Sequence, residues 1–225
     1  MLCLSRKDLL VSAVSVLALM SVAACAGDHS MSTSAKAMPM QMASADSPAA
    51  DLRSALDQLL GEHVQLAVDA TNAALNGRDG EFKAAAAALD ANSVDISNAI
   101  GSVYGPGAGE AFLGLWRSHI DMVVEYTVGM ASQDKAKQDK ALSDLVQYSQ
   151  DFGAFLQSAN PNLPQEAVAG LVKHHAVTLK EVIDAQAAGD YGRAYMALRT
   201  AYGHMAEIAK ALATAISKQF PEKFA

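Results

Sequence analysis

Histidines stand at positions 63, 119 and 175, a constant step of 56 residues, each on the apolar face of a helical pattern. Around the middle one, Phe112, Leu115, His119, Met122 and Tyr126 recur at steps of three and four, as one buried helix face requires. Leu52, Leu56, Leu59, His63, Leu66 and Ala70 repeat that spacing upstream, and Val168, Leu171, His175, Thr178 and Val182 repeat it downstream. A single amphipathic helical unit cannot cover its own apolar face, so three like units must pack against one another. The expected class is therefore all-α: a six-helix bundle of three antiparallel hairpins with a 56-residue internal repeat.

The intervening segments supply the second helix of each hairpin. Phe82, Leu89, Asn92, Ile96 and Val103 form the inward set of the first, Ala141, Leu145, Tyr148, Phe152 and Phe155 that of the second. The third presents Ala194, Ala197, Ala201, His204, Ile208, Ala211 and Ala215. Breaks at Asn76-Gly77, Tyr104-Gly105-Pro106-Gly107, Asn160-Pro161-Asn162-Leu163-Pro164 and Gly189-Asp190 separate the helices. These set a helical domain over 51–225, with hairpins at about 51–104, 108–159 and 164–218.

Superposing the units aligns more than the histidines. Asn92, Tyr148 and His204 coincide, as do Asp95, Asp151 and Glu207. With turns centred on 79, 135 and 191, histidine and second-helix acid each lie 16 residues from the turn. In an antiparallel hairpin that is one height, about 24 Å from the turn at 1.5 Å per residue.

Two readings of this layer stay open. One makes His63, Asn92, Asp95, His119, Tyr148 and Asp151 a repeated polar core that pins helix register, with His119 such a pin. The other is a metal site built from inward imidazoles and carboxylate on facing helices, a donor set suited to zinc, iron or copper. The third unit alone brings two inward histidines, so His175, His204 and Glu207 are its candidate ligands. A site shared by all three units requires them to converge on one axis. Paired Glu-x-x-His, HExxH and CxxCH motifs do not occur, which removes the usual sequence support for a di-iron centre, a zinc hydrolase and attached haem. No catalytic residue is assigned.

Residues 1–24 read as a signal segment, with Arg6 and Lys7 before the apolar run Leu9–Val22. The run ends in Val22-Ala23-Ala24-Cys25, which resembles the bacterial lipobox. The resemblance implies that Cys25 is lipidated, that the bilayer is a partner through this acyl anchor, and that no free thiol remains. Ala26 after the cysteine implies an outer-membrane address facing the periplasm in a two-membrane cell. Residues 25–50 read as a flexible tether. Met38, Met40 and Met42 within it offer soft thioethers that suit Cu(I). The chain carries 17 basic and 24 acidic residues with no basic run, so nucleic acid is not an expected partner.

Asn92-x-x-Asp95-Ile96, Tyr104-Gly105, Leu115-Trp116-x-x-His119, Asn160-Pro161, His204-Met205 and Gln219-Phe220-Pro221 resemble elements of an uncharacterised group of secreted or membrane-attached bacterial helical proteins. That resemblance implies a recurring helical module and assigns no activity. The expected function is a lipid-anchored, extracytoplasmic, non-enzymatic module that binds or handles a transition metal, copper first. A non-catalytic envelope scaffold with structural histidines and a metal-dependent redox enzyme are the alternatives.

Overall fold

The structure is a computed structural model that describes residues 47–224. The signal segment, Cys25, Met38, Met40 and Met42 lie outside the described residues. Among the described residues there are seven helices and no strand: α1 Pro48–Leu75, α2 Asp79–Tyr104, α3 Pro106–Ala131, α4 Lys135–Ala159, α5 Gln165–Ala187, α6 Tyr191–Gln219 and the single turn α7 Pro221–Phe224. None of these helices is long and apolar enough to cross a membrane.

The helix ends follow from local chemistry. α1 begins at Pro48, three residues before the expected Asp51, because Ser47 accepts from the Ala50 N–H and Pro48 is preorganised for the first turn. Asp134 and Asp190 cap α4 and α6 by accepting from Lys137 and Arg193 N–H. Asp79 is the first residue of α2 rather than its cap. The α2–α3 break narrows to one residue, Gly105 at φ 95°, since Pro106 already opens α3.

The three turns within hairpins close alike. Gly77, Gln133 and Gly189 have φ of 65°, 57° and 66°. Arg78, Asp134 and Asp190 N–H bond the carbonyls of Ala73, Gly129 and Ala185, each at 2.9 Å. Gly77, Gln133 and Gly189 N–H bond those of Ala74, Met130 and Gln186. Each is a helix end finished by one left-handed residue that satisfies two orphan carbonyls.

Such short turns between long helices make neighbours antiparallel. Each of α1 to α6 packs against the next, and α6 closes onto α1. The helices α1, α3 and α5 also touch one another. Hence these three form a parallel inner set, and α2, α4 and α6 each lie in the groove between two of them. Leu56, Leu60, Phe112, Trp116, Phe152 and Met205 belong to one apolar cluster, Val68, Tyr126, Leu179, Val182 and Ile183 to another. Along α3 and α5 the histidine positions fall between the buried members of these two clusters, and on α1 His63 lies at the end of the first, between Leu60 and Val64.

Candidate metal centre

His63, His119 and His175 come from α1, α3 and α5, and all three are buried. Equal spacing along three parallel helices puts them at one height, and the inner position of those helices turns them onto one axis. Each offers a ring nitrogen, and the three nitrogens lie within 4.8 Å of one another. The Nε2 atoms of His63 and His119 are 3.4 Å apart. Imidazole nitrogens bound tetrahedrally at 2.0–2.1 Å from a metal stand about 3.3 Å apart. That pair has a ligand spacing, and His175 offers its nitrogen within 4.8 Å of both.

The layer is otherwise short of partners. Nδ1 of His63, His119 and His175 is buried without a hydrogen bond. Trp116 packs on two of the rings, at 4.9 Å from His63 and edge-on at 4.7 Å from His119, and its Nε1 is also unpartnered. Tyr148 lies 5.2 Å from the His119 ring with its hydroxyl unpartnered. In this apolar surround the charged imidazolium is disfavoured. Burial, then repulsion from His119 and His175, holds His63 well below its ordinary pKa. Burial, then His175, brings His119 down to about 3, with the Trp116 carbonyl acting the other way without closing a bond to Nδ1. Burial, then His204 and His174, brings His175 down to about 4. All three rings are neutral at physiological pH, the form a metal requires.

The other residues read from the sequence lie elsewhere. His204 sits on α6 with Nε2 2.9 Å from the Leu171 carbonyl and Nδ1 3.1 Å from Glu207. A carbonyl only accepts, so Nε2 carries a proton and is closed to a metal. Glu207 is exposed, and His204 and Glu207 do not join His175 in the triad. Asn92 makes the bond matching that of His204, its Nδ2 donating to Leu59 O at 3.0 Å and also to Glu62 at 2.9 Å. Asp95 and Asp151 are exposed, Asp151 accepting from Gln147. The hydrogen-bonded role thus falls to Asn92 and His204 on the outer helices, while the convergent histidines belong to the inner ones.

Sequence reading found His63, His119 and His175 but not their meeting. Their meeting depends on which helices are inner, and the count of buried positions does not single these out: α1 buries ten and α5 nine, but outer α6 also buries nine, and inner α3 buries seven, as does outer α4. Comparison with protein-family models, curated proteins and solved structures gives no match.

Proposed function

We propose that the protein is a transition-metal-binding module whose site is the His63–His119–His175 triad, with copper in the Cu(I) state as the ion. The observation that carries this reading is three neutral imidazoles from three helices, each offering one ring nitrogen within 4.8 Å of the other two. An ion held by the converging nitrogens would replace the single His63–His119 contact with a bond to each ring. The preference for Cu(I) rests on charge. Among the described residues no aspartate or glutamate is buried, so an ion in this layer has no buried counter-charge there. Burying uncompensated charge is costly, which favours a monovalent ion over a divalent one. Three imidazoles without thiolate or carboxylate suit copper.

In the same proposal the chain is held at the cell envelope by lipid on Cys25, and Met38, Met40 and Met42 pass Cu(I) toward the domain. The test is to strip the purified protein with a chelator and titrate Cu(I), Cu(II) and Zn(II) against a competing chromophore. One Cu(I) per chain is expected, with affinity reduced at least about 100-fold in His119→Ala. Met38, Met40 and Met42 changed together to leucine should slow uptake and leave the core affinity intact. Wild-type affinity no tighter than that of His119→Ala would leave the scaffold reading, in which the triad is purely structural.

A further inference from the structure

A cavity of about 290 Å³ lies between α1, α2 and α3, with Leu179 of α5 also in its wall, and has His63 and His119 among its lining residues. It exists because α1 offers only small side chains beyond His63, namely Ala67, Ala70, Thr71 and Ala74. Phe82 and Leu89 of α2 and Val123 of α3 complete walls that are almost wholly apolar. It reaches the surface beside Asp79 and Val128, the latter 44% exposed.

Its few polar groups are mostly committed. The Thr71 hydroxyl contacts the Val68 carbonyl and Gln186, and the Thr127 hydroxyl donates to the Val123 carbonyl. The inner end is no different. The Nε2 atoms of His63 and His119 face each other at 3.4 Å, and their Nδ1 atoms are buried without accessible surface. The chamber therefore offers a ligand apolar contact almost throughout. The volume is near the lower bound for ligand pockets, about 300 Å³, and well above that of a cavity which holds benzene, about 150 Å³.

We propose that this cavity binds a small, uncharged, predominantly apolar molecule of bicyclic-aromatic size, whose single polar group lies toward the open mouth. A charged ligand would leave its charge unpaired among alanine, valine and leucine. An anion would in addition pass Asp79 at the mouth.

The proposal stands apart from the metal reading, and its test uses chelator-stripped protein so that the two fail separately. 2-Naphthol, neutral at pH 7 and fluorescent, is titrated into the full chain beside naphthalene-2-sulfonate. Saturable one-to-one binding of 2-naphthol is expected, with the sulfonate at least about tenfold weaker. Ala70→Leu, which fills the chamber, should weaken 2-naphthol at least about tenfold while the helical circular dichroism is retained. Should that variant fail to fold, Ala74→Leu near the mouth serves instead. Unsaturable binding, equal affinity for the sulfonate, or undiminished binding in a folded filled variant would each overturn the assignment.

Discussion

Each central imidazole is destabilising as it stands. A buried polar atom without a partner costs about 1–3 kcal/mol, and three Nδ1 atoms are in that position. Replacing the whole layer by apolar side chains removes the penalty. The metal-free variant H63L/H119L/H175L is therefore expected to unfold at the same or a higher temperature than the metal-free wild type. A set of register pins would give the opposite result, and calorimetry decides between them. Acid sharpens the contrast. The three rings have folded pKa values below the ordinary 6.5, about 3 for His119 and about 4 for His175. The unfolded chain thus binds protons first as pH falls. The stability from this layer is complete above about pH 6.5 and declines below it, by up to about 1.4 kcal/mol per pH unit for each histidine. Urea unfolding of metal-free protein at pH 7, 5.5 and 4.5 should show this slope in the wild type and lose most of it in the triple leucine variant.

At the scale of the helix, what was legible was whatever has a local cause. Apolar steps of three and four gave all six long helices, and Gly77 and Gly189 marked turns because only a left-handed residue closes those ends. Gln133 occupies the same conformation at φ 57° without a glycine's signature, so its turn could be placed only from the polar run around Asp134. The choice of α1, α3 and α5 as inner helices was not legible from any one of them. It depends on how closely pairs approach, and some of those approaches hang on single residues. At Gly153, where α4 meets the start of α5, an added Cβ would stand 2.5 Å from the Gln165 carbonyl oxygen. That neighbour is backbone and cannot turn aside. Gly153→Ala should cost about 1–3 kcal/mol in denaturant unfolding, although alanine is the better helix former.

At the scale of the molecule, six helices close into a ring, α6 against α1, and one end is tied by polar groups from the ends of three outer helices. Tyr104 donates to Gln219 at 2.8 Å and accepts from buried Asn160 at 3.0 Å, while Gln219 donates to the Ala159 carbonyl. Tyr104-Gly105, Asn160-Pro161 and Gln219-Phe220-Pro221 stand far apart in sequence, and this contact joins them. Asn160→Ala removes the amide that donates to the Tyr104 hydroxyl oxygen and leaves without its partner the Asn162 N–H, which donates to Asn160 Oδ1 at 2.9 Å. A loss of about 1–3 kcal/mol is expected, with metal stoichiometry unchanged, since the triad lies in another layer.

The triad has no local neighbourhood in the chain. Its members are drawn one from each hairpin, and His63 and His175 lie on either side of the whole of α2, α3 and α4. A chain lacking its last hairpin, or holding it undocked, can present two of these nitrogens but never three. Ion capture at this layer would therefore act as a roll-call of the fold, answered only when the final hairpin has taken its place, and would close the first and third hairpins into one non-covalent loop.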